Sequence, residues 1–261
     1  MKAKLFKITC VTNLHVGSGE LNFNIVDKEV EKDPNNDLPI IHGSGIKGAL
    51  LADKSIYAPL DKAYIFGKGA EENASDNGGK YKFLDARLLF RPVRVGGEVS
   101  QPYALTTTAD AVNDMIDTAG KFGITVNGKT LEKVSNVDFG KDYKFAAKAA
   151  LNIEGEKALK LNDDIAQGYI NIIGDNFAVA NDLGKIPLPI IARNNLGKNR
   201  NLWYEEYVPH KSVFWTIILF DGEEFKLNLN NVVQLGGNAS IGNGYVKFEE
   251  IGANYEQTKS E

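Results

Sequence analysis

Asp27 follows an apolar pair, Ile25-Val26, in a stretch otherwise made of glycine turns and polar residues (13–50). A carboxylate in such a loop could ligate a divalent cation or help a ribose 2′-OH attack the adjacent phosphate. It could equally cap a turn, as aspartates often do. His15 precedes the turn Gly17-Ser18-Gly19. Histidine is the side chain that exchanges protons near neutral pH, so it could protonate a leaving 5′-oxygen. A histidine beside a glycine turn is as often a hydrogen-bonded structural residue. A second turn, Gly43-Ser44-Gly45, opens a helix-like segment carrying Lys47. Glycine turns on both sides of a lone acid suit a loop whose amides lie against a phosphate backbone. Lys47 would add its charge to those amides and to the helix dipole.

Three later stretches hold further candidates. Residues 236–244 (GGNASIGNG) are mostly Gly and Asn, the residues that readily take positive φ, and could form a nest of amides around Gly236, Gly237, Asn238, Gly242 and Gly244. This loop lacks the Gly-Lys-Ser/Thr ending of a phosphate-binding loop, which argues against nucleotide hydrolysis. Arg87 and Arg91 fall on one face of a strand-like run by period two, where they could hold phosphates or pair with acids. In 202–209 (LWYEEYVP), an extended chain puts Trp203, Glu205 and Tyr207 on one side; Glu205 and Tyr207 could assist phosphoryl chemistry. His42 and His210 read as structural.

These residues must be positioned by a chain of 261 residues, 43% hydrophobic and 25% charged, which is enough for one packed domain. Cys10 is the one cysteine, so an intrachain disulfide and a cysteine zinc site are excluded, and a reducing cytoplasm is expected. The longest apolar run, 213–220, is too short to span a bilayer. The net charge of −4 disfavours a nonspecific nucleic-acid binder; RNA would have to be held by local patches and amides.

Alternation predicts strands over 3–11, 81–95, 213–220 and 245–251. Helical spacing predicts helices over 45–58, 108–120 (with Thr108 as N-cap) and 222–235. Residues 67–80 read as a polar loop and the tail from 252 as flexible. Without its insertions the chain reads βαββαβ, an α+β, ferredoxin-like and RRM-like core. The core covers about 3–12, 43–95 and 212–251, with an inserted loop at 13–42 and an insertion at 96–211. In RRM domains the same sheet is the RNA-binding platform.

The order His15-x-Gly17-Ser18-Gly19, Ile25-Val26-Asp27, Pro39-x-x-x-Gly43-Ser44-x-x-Lys47-Gly48 resembles the N-terminal signature of the RAMP superfamily. Asp85-Ala86-Arg87-Leu88-Leu89 followed by Pro92-Val93-Arg94 is similar to the Cmr-type, type III-B, backbone subunit of CRISPR effector complexes more than to the type III-A one. The resemblance implies an endoribonuclease that depends on the aspartate at position 27 and on a divalent metal, Mg or Mn, and leaves a cyclic phosphate and a 5′-hydroxyl. It implies as partners a guide RNA, a complementary target RNA cut at regular intervals, further copies of the chain in a helical filament, and other complex subunits, with no membrane. It makes 236–244 a guide-RNA contact, the 202–209 block part of the site, and the insertion a thumb that intercalates between neighbouring subunits. A scaffold that binds guide RNA without cutting, and a small-molecule phosphate enzyme, are the alternatives.

Overall fold

The computed structural model describes residues 1–17, 26–68, 78–97, 102–126, 128–173, 177–194 and 202–252. Ser18, Gly19 and Ile25, most of the polar loop at 67–80, and the tail beyond 252 lie outside the described residues.

Strand β1, Lys2–Cys10, alternates as its sequence demands: Phe6, Ile8 and Cys10 enter one core layer and Leu5 the other. Helix α1, Gly43–Ala52, lowers Ile46 and Leu50 onto the first layer. Strand β2 runs Ala86–Gly96. Helix α2, Ala109–Lys121, closes the opposite face with Val112, Met115, Ile116 and Ala119. Its start is set by Thr108, whose Oγ1 accepts the Ala111 N–H at 3.1 Å, a cap that contributes about 1 kcal/mol. Strands β3, Ile190–Asn194, and β4, Leu202–Glu206, form a separate two-stranded ladder. Strands β5, Val213–Phe220, and β6, Tyr245–Glu250, complete the core.

The central order is β6-β1-β5-β2, with every neighbour antiparallel. This is the fourth-first-third-second arrangement of a ferredoxin-like core. β5 explains its own apolar sequence, broken only by Thr216, whose buried hydroxyl donates to the Leu84 carbonyl at 2.8 Å. Val213, Trp215 and Ile217 face the α2 layer, while Phe214, Ile218 and Phe220 face the α1 layer. A strand buried on both sides has no polar face to show. Ala166 and Tyr169 of the helix Asp163–Ile173 join α2 over its face. Both faces of the sheet are thus covered, and the bare sheet platform of an RRM domain is not reproduced.

Three local expectations are corrected. Residues 222–235 do not form a helix. They cross the α1 layer as extended chain and end in the short strand Val232–Gln234, paired with β6. Burial there has period two: Leu227 and Leu229, then Val233 and Leu235, are buried, while their neighbours are exposed or, at Gln234, half-buried. Asn228, Asn230 and Asn231 are also weak helix formers. Second, the strand expected over 81–95 is broken. Tyr81–Phe83 pairs with β5, the chain kinks at Leu84-Asp85, and β2 then carries a register shift opposite Val213/Phe214. Ala86 and Leu88 face the α1 layer, Leu89 and Phe90 both face the α2 layer, and Val93 and Val95 return to the first. This β-bulge slips the alternation by one. Arg87 and Arg91 therefore point to opposite faces, not one. Third, the helix expected over 45–58 ends at Ala52, where Asp53 accepts the Ser55 N–H and starts a separate 3-10 turn, Lys54–Ile56. The 96–211 insertion, for its part, extends the main sheet. Tyr103–Thr107 pairs with β2, Phe177–Ala180 with Tyr103–Thr107, and Phe145–Ala147 with Phe177–Ala180. Among the described residues only β3 and β4 lie outside that sheet.

Candidate active site

Four stretches meet at one end of the sheet: the exit of β1, the loop at 26–30, β4 with its continuation, and the glycine loop before β6. Bridges between Leu14 and Val208, Gly17 and Val30, and Lys28 and Glu205 hold them together. Asp27 lies along β4. Its N–H and that of Lys28 donate to the Tyr204 carbonyl, each at 3.1 Å, and its Oδ2 accepts the Tyr204 N–H at 2.7 Å. The side chain is half-buried, and Oδ1 has no partner among the described residues.

His15 is buried, with Nδ1 2.7 Å from the Glu206 carbonyl oxygen. A carbonyl can only accept, so Nδ1 carries the proton and Nε2 is the nitrogen left to exchange one. The Gly237 N–H donates to the His15 carbonyl at 2.9 Å. Two glycines make this possible. A Cβ on Gly17 would stand 3.0 Å from His15 Nε2, and one on Gly236, where φ is +71°, would meet the His15 carbonyl oxygen at 2.3 Å.

Glu205 is bridged to Lys28, the residue after Asp27, and is 3% exposed. Its Oε1 accepts from Trp203 Nε1 at 2.8 Å and Lys28 Nζ at 3.0 Å. Its Oε2 accepts from Arg193 Nε at 3.0 Å and Asn238 Nδ2 at 2.8 Å. Burial alone would raise its pKa, but the donors, Trp203, Lys28 and Arg193 foremost, outweigh that and hold it at about 2. Tyr207 is half-buried just past β4. Its N–H donates to the Pro189 carbonyl at 3.1 Å, and its hydroxyl meets no partner among the described residues.

The glycine loop is less of an amide nest than its composition suggests. The N–H groups of Gly237, Ile241, Gly242, Asn243 and Gly244 are spent on His15, Asn238, Ala239, Asn238 and Asn13 carbonyls respectively. Those of Ala239 and Ser240 have no backbone acceptor among the described residues. Asn238 and Gly242 adopt left-handed conformations, and at Gly244 (φ +86°) a Cβ would lie 2.0 Å from the Leu235 carbonyl oxygen.

The remaining candidates sit elsewhere. Ser44 and Lys47 are exposed on the first turns of α1 and line a groove of about 360 Å³ with Lys68 and Lys82. The Gly43 N–H in the same groove is taken by Asp85 Oδ1 at 2.7 Å, so it is not available to a phosphate. Arg87 is held by Asp114 at 2.8 Å and lies over the Trp215 ring. Arg91 is buried, and its guanidinium donates to the Ile186 and Pro187 carbonyls. Its guanidinium thus serves as a brace within the fold, on the face to which the bulge turns it.

Lys28 and Arg193 were not among the residues expected from the sequence. Lys28 adjoins Asp27, and that adjacency was the available signal. Arg193 becomes visible only when β3 pairs with β4. For a metal, Asp27 offers one open oxygen while both oxygens of Glu205 are occupied. No cluster of three or more His, Cys, Asp or Glu able to hold an ion occurs among the described residues. This donor set fits a hard cation that keeps its waters and shares substrate phosphate oxygens, as Mg does, and not a fully caged ion.

Fold and site together define a ferredoxin-like protein whose sheet faces are closed and whose candidate catalytic residues are gathered on loops at one sheet end. The chain belongs to the RAMP superfamily, whose family model matches residues 7–247. It is 28% identical to the CRISPR system Cmr endoribonuclease Cmr4 of Pyrococcus furiosus, over 95% of each chain. It is 26% identical to the CMR subunit Cmr4 of Saccharolobus solfataricus, over 94% of this chain and 95% of that one. Among solved structures, it shares its fold with a chain of the type III-B Cmr-β complex bound to cognate target RNA. There the TM-score is 0.70 and the identity 21%, covering 96% of this chain and 98% of the other. Oligomeric Cmr4 from Pyrococcus furiosus gives a TM-score of 0.68 at 22% identity, covering 96% and 99%. No helix among the described residues is long and apolar enough to cross a membrane.

Proposed function

We propose that this chain is a backbone subunit of a type III-B CRISPR RNA-guided complex, working in the cytoplasm. Copies stack along a guide RNA, beside the other subunits of the complex, and each cuts the paired target RNA. The observation that supports this reading is that Asp27, with one carboxylate oxygen unpartnered among the described residues, and His15, with Nε2 left over by its Nδ1 bond and its carbonyl held by the glycine loop, are carried by the same group of paired stretches. They occur in a chain whose relative in Pyrococcus furiosus, matched over 95% of both lengths, is a Cmr endoribonuclease. Base pairing selects the target, and the protein grips backbone and shape.

The cut needs a 2′-oxygen to bond to phosphorus while the P–O5′ bond breaks. The 2′-OH gives up its proton on the Asp27 side. The leaving O5′ takes a proton from Nε2 of His15 as imidazolium, whose Nδ1–H stays on the Glu206 carbonyl. The products are a 2′,3′-cyclic phosphate and a 5′-hydroxyl. A divalent cation, Mg or Mn, would be held by Asp27 and by RNA phosphate oxygens. When bound it supplies Lewis acidity at the phosphate and the 2′-OH. The groove of Ser44, Lys47, Lys68 and Lys82 holds guide phosphates, and the β3–β4 hairpin is the thumb that reaches the neighbouring copy.

Asp27→Ala in an assembled complex with guide and labelled target tests the reading, with and without Mg. Loss of cleavage with guide binding retained is expected. Cutting at the wild-type rate removes Asp27 from the chemistry. An assembled wild-type complex that binds target without cutting it makes the chain a scaffold.

A further inference from the structure

We propose that Glu205 takes no part in proton transfer and instead forms, with Lys28, Arg193 and Asn238, a clasp that fixes where Asp27 stands relative to His15. This rests on the reading of Asp27 and His15 as the reacting pair. Each carboxylate oxygen of Glu205 already accepts two hydrogen bonds, so no lone pair is left to take a proton from RNA. With its proton affinity held far below neutrality, it has none to give.

The four donors come from four different stretches of the chain and share one acceptor. Trp203 belongs to β4 itself and Arg193 to its partner strand β3. Lys28 is the residue after Asp27, and Asn238 follows Gly237, whose amide holds the His15 carbonyl. The clasp therefore ties the acid's loop, the histidine's support and the hairpin to one buried charge. Reacting groups must be held within fractions of an ångström, and a displacement of about 1 Å costs about 100-fold in rate. Lys28, Arg193 and Asn238 are positioning residues: none of them needs to touch the scissile phosphate.

The experiment compares Glu205→Gln, Asn238→Gly and the swap E205Q/N238D in assembled complexes with guide RNA and labelled target. Glycine suits the left-handed backbone at 238, so that variant removes the side chain without strain. Each single variant slows single-turnover cleavage by about 10- to 100-fold, retains guide RNA and leaves the shape of the pH–rate profile unchanged. The swap places an amide at 205 against a carboxylate at 238, restores the contact with its partners reversed, and recovers about tenfold over Glu205→Gln. Hydrogen exchange on the free chain reads the clasp without any activity. The amides of Lys28 and Tyr204 exchange faster in both single variants. Unchanged exchange, loss of one limb of the pH profile in Glu205→Gln, or a swap no faster than that single variant overturns the clasp. A wild-type complex that does not cut sinks the nuclease reading instead, and exchange still judges the clasp.

Discussion

Glu205→Gln should cost the fold a pH-dependent amount that can be worked out in advance. The carboxylate titrates at about 2 when folded, against an ordinary value of 4.5. Each factor of ten in proton affinity is about 1.4 kcal/mol. The native charge state at 205 thus contributes at most about 3 kcal/mol at neutral pH, since Glu205 is buried but its partner Lys28 is 44% exposed and its share is screened by solvent. The folded value lies below the unfolded one, so this stability is fully present above about pH 5 and is lost as pH falls toward about 2. At about pH 3, at most about 1.4 kcal/mol of it remains. Urea unfolding of wild type and variant, followed by the fluorescence of Trp203 and Trp215, measures the gap between them. That gap should be at most about 3 kcal/mol at neutral pH and narrow by up to about 2 kcal/mol at pH 3. A gap of the same size at both pH values would show that only shape or hydrogen bonding was lost, and the charge-based account would be refuted.

Arg91→Met leaves the Ile186 and Pro187 carbonyls without their guanidinium donor and should lower stability by about 3 kcal/mol, measured by the same urea titration. Gly236→Ala must adopt φ +71° and push a Cβ into the His15 carbonyl. Its expected loss of about 2 kcal/mol comes with displacement of His15, seen as a shifted imidazole resonance. Lys47→Glu sits on an exposed turn of α1, so melting should move by no more than about 0.5 kcal/mol equivalent. Its guide-RNA affinity should fall and the slope of log affinity against log salt should drop by about one.

Strands with one clear pattern were legible from sequence. β1 alternates and β5 is apolar but for Thr216, and both formed where their residues required; α2 showed its cap and its stripe. The stretch 222–235 misled because Phe225, Leu229, Val232 and Val233 also fit helical spacing. The arbitrating facts, Leu227 and Leu229 two apart among asparagines, favoured extended chain. At the site, glycine turns and an acid beside a histidine could be read because such residue types are rare in combination. The role of Gly43 and Gly244 could not be read that way. Both are glycine because a Cβ would lie 2.1 Å from the Phe83 carbonyl oxygen and 2.0 Å from that of Leu235 respectively, a tertiary fact. Arg193 likewise acquires meaning only across the β3–β4 ladder.

The bulge in β2 has a consequence for chain length. Removing one residue at Leu89 would restore strict two-residue alternation through the rest of the strand. Val93 and Val95 would nonetheless stay on the α1 side, and Arg91 would keep the Ile186 and Pro187 carbonyls, because the residue lost is the surplus one and every later side chain retains its face. The two arginines would remain on opposite sides of a strand one residue shorter. Family members that lack this residue can therefore keep arginine at both positions.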